Sequence, residues 1–81
     1  MTWQHSNRSR QDYLNAPAQI QKAFDKQVRL LSVNLLHPSL RSKKYSESLG
    51  LWQARVNRDW RFYFIAKNNT YLIARIVPHP K

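Results

Sequence analysis

The stretch LWQARVNRDWRFYF, residues 51–64, decides how this chain folds. Apolar and polar residues alternate through LWQARV and again through WRFYF, with NRD between them. A period of two is that of a β-strand with one covered face and one open face. Two such runs across a short polar link read as an antiparallel hairpin. One side then carries Trp52, Ala54 and Val56, followed by Trp60, Phe62 and Phe64. The other carries Gln53, Arg55 and Asn57, followed by Arg61, Tyr63 and Ile65. The first set is a core face. The second is a basic surface with almost no acid to pair with it.

Toward the C-terminus, KNNT leads into TYLIARIV. Asn68 and Asn69 tolerate the positive φ of a tight hairpin turn, so this third strand extends the sheet as a meander. Unbroken alternation assigns Leu72, Ala74 and Ile76 to the core face, and Tyr71, Ile73 and Arg75 to the open face. Toward the N-terminus, TWQH reads as a short strand. SRQD reads as the start of a short helix, with Ser9 as N-cap and Asp12 in the capping-box position. Pro17 suits the first turn of a second helix. Ile20, Phe24, Val28, Leu31 and Leu35 recur at spacings of three and four, which predicts a helix over about 17–34 with one apolar stripe. Between helix and sheet, HPSLRSKKYSESLG has no period and reads as a loop of about a dozen residues, long for so small a domain. The expected fold class is α+β: a short N-terminal strand and an αα-hairpin packed on one face of a twisted antiparallel sheet of about four strands. It is expected to be a single domain over residues 1–81.

Charge narrows the function. Fourteen Lys and Arg stand against four Asp and Glu, a formal net charge of +10. Nine of the basic residues lie in 41–81 and five in 1–40. Such a field suits nucleic acid, an acidic protein or an anionic membrane. There is no apolar run near ~20 residues and no apolar stretch at the N-terminus, so neither a membrane span nor a secretory signal is expected, and a cytoplasmic location is the default. Cysteine is absent, which removes disulfides and thiolate metal sites. Asp12, Asp25, Glu47 and Asp59 are scattered, the three histidines have no metal-ligand spacing, and with Gly50 alone there is no glycine-rich phosphate loop. Neither metal nor cofactor is expected.

The open face then becomes the candidate site. Arg55, Arg61 and Arg75 fall on neighbouring strands without carboxylate partners. A guanidinium fork donates two hydrogen bonds at once to a phosphate. Tyr63 and Tyr71, on the same predicted face, have the rings on which unpaired bases stack. The loop adds Arg41, Lys43 and Lys44. His79 follows the last strand, held between Pro78 and Pro80, near where a meander places Arg61. Histidine is the side chain best matched to proton transfer near neutral pH. For any one of these arginines, a merely solvated basic face is an equally good reading; as a set they favour nucleic acid.

LLSVNLLHPSLRSKKY followed by LWQARVNRDWRFYFIAKNNTYLIARIVPHPK resembles the RelE/ParE superfamily of bacterial toxin–antitoxin toxins, over nearly the whole chain. The resemblance implies two N-terminal helices on a twisted antiparallel sheet, with TWQH as its first strand. It also implies an endoribonuclease, an mRNA interferase that cuts mRNA on the ribosome. Cleavage there needs no metal and proceeds by attack of a ribose 2′-OH on the adjacent phosphate. Arg61 matches the arginine that stabilises the phosphorane-like transition state, Arg55 a basic position near the same phosphate, and His79 a C-terminal general acid. Lys43 and Lys44 fall where relatives carry loop residues used in catalysis or ribosome contact. The implied partners are a cognate antitoxin, mRNA and the ribosome. The resemblance departs after His79, where some relatives have a tyrosine, and the general base has no clear counterpart, Glu47 being the only nearby acid. A gyrase-inhibiting toxin of the same fold and a non-catalytic RNA-binding module are the alternatives.

Overall fold

The computed structural model describes residues 1–80. They form β1 (Thr2–His5), α1 (Asn7–Asn15), α2 (Ala18–Val33), a 3-10 turn at Pro38–Leu40, and then β2 (Lys43–Ser46), β3 (Leu51–Arg55), β4 (Trp60–Lys67) and β5 (Thr70–Pro78). The strands make one sheet in the order β1-β5-β4-β3-β2. The hairpins β2–β3, β3–β4 and β4–β5 are antiparallel, whereas β1 lies parallel to β5. The sheet therefore has five strands and is mixed, where about four antiparallel strands were expected. The two helices carry the chain from β1 across the whole sheet to β2 at the opposite edge, and the meander then returns β5 alongside β1, parallel to it. β2 lies inside the predicted loop. It is an edge strand exposed at Lys43, Lys44 and Tyr45, so no alternation of burial marks it in the sequence.

The predicted stripe of α2 is the centre of the core. Ile20, Phe24, Val28 and Leu31 are buried against Ala54, Val56, Phe62, Phe64, Ile73 and Ile76. Phe24 meets Phe62 edge-on, with ring centroids 5.2 Å apart at 84°. Gln27, on the same stripe, is buried as well. Its Nε2 donates to the carbonyls of Ser39 at 3.1 Å and Arg55 at 2.9 Å, which satisfies two backbone groups of the segments that carry the basic residues.

β5 departs from the expected alternation. Phe62 lies opposite Ile76 and Tyr63 opposite Arg75, but Phe64 lies opposite Ile73, leaving Ala74 as an extra residue. A bulge of one residue exchanges the two faces of everything beyond it. Tyr71 and Ile73 consequently belong to the core, and Leu72 does not. Tyr71 is 5% exposed and packs edge-on against Phe64 at 5.4 Å, so it is no surface for a base.

The start of α1 is also shifted. Its N-cap is Ser6, whose Oγ accepts from the Ser9 amide at 3.0 Å. Ser9 is instead buried, its hydroxyl 2.7 Å from His5 Nδ1. Asp12 caps nothing. It accepts from Arg75 Nε at 2.8 Å, from Arg75 Nη2 at 3.3 Å and from the Ile76 amide at 2.9 Å. The pairing of β1 with β5 ends at His5 and Ile73, and beyond it the carboxylate takes up the Ile76 amide while fastening α1 to β5. At the other end of the hairpin, Asn68 and Asn69 both adopt positive φ, 52° and 60°, as their sequence predicts.

Candidate functional site

The β3–β4 hairpin sets the site. Its register places Arg55 directly opposite Arg61. The turn between them is tied by Asn57, whose Oδ1 accepts from the amides of Asp59 and Trp60, each at 2.9 Å. Arg61 Nη1 closes the turn from the other side, donating to the carbonyls of Asn57 at 2.8 Å, Trp60 at 3.0 Å and Arg58 at 3.2 Å. One arm of the fork is thus spent on holding the backbone, and the remaining N–H groups bond to none of the described residues. Arg55 has its Nε buried with no partner.

Three further elements converge on this pair. Pro78 lies opposite Trp60, and the next amide, that of His79, donates to the Asp59 carbonyl at 2.7 Å. The C-terminal segment is therefore held beside the turn. The 3-10 turn ends at Arg41, which adopts a left-handed conformation (φ 46°). Lys43 pairs with Gln53 at the start of β2. Arg41, Lys43, Arg55, Arg61 and His79 line one open pocket of about 310 Å³, together with Gln53 and Ala54. No carboxylate is among these residues. The ion pairs of the described residues, Lys44–Glu47 and Arg75–Asp12, lie elsewhere. Burial, the Arg55 guanidinium and, more weakly, Arg41 push Arg61 below the ordinary arginine value, against partial relief from Tyr63 and Asp59. The guanidinium stays charged, so the direction reflects first the burial of this charge and then the second guanidinium beside it.

Of the residues predicted from sequence, the structure thus brings together Arg41, Lys43, Arg55, Arg61 and His79. Tyr63 is next to them on the open face, its hydroxyl accepting from Gln53 Nε2 at 2.9 Å. Three predicted residues do not join. Lys44 pairs with Trp52 in the ladder, lies 5.3 Å from its ring centroid and is 3.9 Å from Glu47; strand alternation sends it to the opposite face from Lys43. Tyr71 is in the core, and Arg75 is engaged by Asp12. Glu47, the one candidate base, has an 85% exposed side chain and does not reach the pocket.

Gln27 and Gln53 were not singled out from the sequence. Gln27 carries a signal, being a polar residue on an apolar helical stripe. Tyr45 carries none, because β2 itself is not legible; its ring stands edge-on to Tyr63, centroids 5.0 Å apart at 71°. Arg58 lies beyond His79, where it lines a second hollow with Asp59 and Pro80. Among the described residues, His, Asp and Glu side chains form no group of three that could hold a metal ion. No described helix is long and apolar enough to cross a membrane.

No protein-family model matches the chain, and no curated protein matches it in sequence. Solved structures do match in shape. The YoeB/ParE toxin from Agrobacterium tumefaciens superposes with a TM-score of 0.80 at 14% identity, over 99% of this chain and 100% of that one. The YoeB dimer from Staphylococcus aureus gives 0.81 at 19% identity, over 99% and 98%. The RelB–RelE antitoxin–toxin complex from Methanococcus jannaschii gives 0.74 at 16% identity, over 91% and 87%. The fold is that of the RelE/ParE-like toxins.

Proposed function

We propose that the chain is the toxin of a type II toxin–antitoxin pair and an endoribonuclease that cuts mRNA on the ribosome, without a metal. The observation that carries this reading is the Arg55–Arg61 pair, free of ion pairs among the described residues and sharing one pocket with His79. In that pocket a phosphodiester meets cations on more than one side. The 2′-oxygen forms a bond to phosphorus, the bond from phosphorus to the 5′-oxygen breaks, and a 2′,3′-cyclic phosphate remains. Arg55 and Arg61 stabilise the charge that grows on the non-bridging oxygens. His79 delivers the proton that the departing 5′-oxygen needs. The 2′-OH proton passes to solvent water, since Glu47 stands outside the pocket and no carboxylate lines it. Arg41 and Lys43 hold the strand through its flanking phosphates.

Shape comparison supports an antitoxin partner, since neighbours of this fold include the YoeB–YefM complex of Staphylococcus aureus and the RelB–RelE complex of Methanococcus jannaschii. The net charge of +10 favours an acidic one. The test is expression of the chain and of its Arg61→Ala and His79→Ala variants, with growth recorded and mRNA 5′ ends mapped by primer extension. New ends that vanish in both variants support the reading. Undiminished toxicity in both variants overturns the site, and a DNA-damage response with intact mRNA points to gyrase instead.

A further inference from the structure

The Tyr45 ring has no evident reason to be where it is. It lies on an edge strand and is 59% exposed, and exposed aromatics on a sheet edge invite unwanted pairing. The β2–β3 register shifts between Lys44 and Ser46, which leaves Tyr45 as the unpaired residue of a bulge. Bulges re-aim side chains and recur beside functional sites. Alternation from Lys44, which lies on the Trp52 side, puts Tyr45 on the same face as Lys43 and the pocket. There it meets the edge of Tyr63. Tyr63 is in turn fixed by Gln53, which is 7% exposed, donates to the Tyr63 hydroxyl and borders the pocket. Gln53 and Tyr63 are the next pair along the ladder on this face from Arg55 and Arg61, a step of about 7 Å. Tyr45 lies beyond that pair, its ring centroid 5.0 Å from that of Tyr63, within reach of a base adjoining the phosphate. A rigid, braced ring beside an exposed one, next to a cationic pocket, is the arrangement that receives an unpaired base.

We propose that Tyr45 and Tyr63 form the docking platform for the unpaired base adjoining the phosphate held by Arg55 and Arg61, with Tyr45 as the stacking surface and Gln53–Tyr63 as its support. The ligand is single-stranded nucleic acid, entered with one base laid on Tyr45. This rests on the nucleic-acid reading of the pocket and adds to it the element that ranks one base over another. Stacking selects by ring area and not by hydrogen-bond pattern, so purines are favoured over pyrimidines at this position.

The probe is a set of fluorescein-labelled hexadeoxynucleotides, which lack the attacking 2′-OH and stay uncut, each with an abasic residue at a different position. Binding is followed by anisotropy at about 50 mM salt, where phosphate contacts are strong. Base–aromatic stacking corresponds to roughly a 5- to 150-fold loss of affinity on removal of the ring. Tyr45→Ala is expected to weaken binding within that range, Tyr45→Trp to retain it, and the Tyr45→Ala effect to disappear when the abasic residue sits at one particular position. Arg55→Ala and Arg61→Ala weaken binding of every oligomer, including the abasic ones. If the arginine variants lose affinity while Tyr45→Ala binds like wild type, the platform is overturned and the phosphate pocket stands. If the wild-type chain binds no oligomer, or the arginine variants bind as well as wild type, the nucleic-acid reading fails and the platform with it. Because Tyr45 is exposed on an edge, its replacement leaves the core intact, and a thermal melt of each variant verifies folding.

Discussion

Arg55 and Arg61 are direct cross-strand partners in the β3–β4 ladder, and neither takes part in an ion pair with a described residue. Like charges set opposite each other destabilise a sheet, and Arg55 adds a buried, unpartnered Nε. The site is thus held at a cost to the fold, which an anion would offset.

Replacing Arg55 by methionine removes both the repulsion and the orphaned donor while keeping the bulk. The expected gain is about 1 kcal/mol, a rise of roughly 4–8 °C in melting temperature for a domain of this size. Toxicity falls at the same time. Millimolar pyrophosphate should raise the melting temperature of the wild-type chain and not that of Arg55→Met. A variant that melts lower than wild type contradicts the idea of a strained cationic pair.

Arg61→Lys is expected to behave nearly as badly as Arg61→Ala, with mRNA cleavage reduced about 10²–10³-fold. Arg61 closes the turn with Nη1 and presents the rest of its fork to the pocket. A single ammonium cannot serve three carbonyls and a phosphate together. Cleavage by the lysine variant within a few fold of wild type would refute this division of labour.

Lys43 and Lys44 are neighbours in sequence and opposites in space. Lys43→Ala should reduce toxicity clearly, because Lys43 lines the pocket. Lys44→Ala should change it less than about twofold, since the exposed Lys44–Glu47 pair contributes little even to stability. Equal effects in a growth assay would place the strand in the wrong register.

Gln27→Leu leaves the carbonyls of Ser39 and Arg55 without their donor. Unsatisfied buried acceptors cost about 1–3 kcal/mol, readable as a lower urea midpoint. Cleavage should fall further than stability accounts for, because the same bonds position Arg55 and the segment leading to Arg41. A variant as stable and as active as wild type would remove Gln27 from the machinery.

Two groups make stability fall in acid, in separate windows. His5 titrates below its ordinary value of 6.5 because burial disfavours the charged ring and Arg10 repels it, with Asp25 opposing. The unfolded chain therefore takes up this proton first, so stability is full above about 6.5 and declines as pH falls through the window just below it. Burial alone would raise Asp12, but hydrogen bonds from Arg75 and the Ile76 amide outweigh it and hold the carboxyl below 3.8. Its contribution is complete above that value and is lost as pH falls toward the folded one. Urea midpoints measured from about pH 8 down to about pH 3 should show both declines, and His5→Gln should lack the first. A midpoint that stays level between about pH 7 and about pH 5 in the wild-type chain would exclude the His5 effect.

Periodicity was enough for the parts of this protein in which one face is buried. The α2 stripe, the β3–β4 hairpin, its core face and the Asn68–Asn69 turn all follow from local spacing and turn chemistry, and so does the placing of Arg55 and Arg61 on one face of neighbouring strands. His79 was legible for a related reason, since a meander returns its third strand beside its second. The failures share a cause. Tyr71 and Ile73 were misassigned because one extra residue, Ala74, flips the alternation of β5 beyond it, and nothing local in TYLIARIV announces a bulge; Arg75 keeps its expected face but is engaged by Asp12. Lys44 and Tyr45 were unreadable because an exposed edge strand carries no burial pattern. Asp12 looked like a cap because its partner lies 63 residues away.

The class of the fold and the core made by α2, β3 and β4 could be read from the residues alone, because local geometry imposes a period of two or of three to four, and the excess of positive charge follows from composition. Which cations are free could not be read in that way. That depends on strand register and on long-range partners: Asp12 neutralises Arg75, the bulge buries Tyr71, alternation turns Lys44 away, and Gln27, the β3–β4 turn and the C-terminal segment hold Arg55, Arg61 and His79 around one pocket.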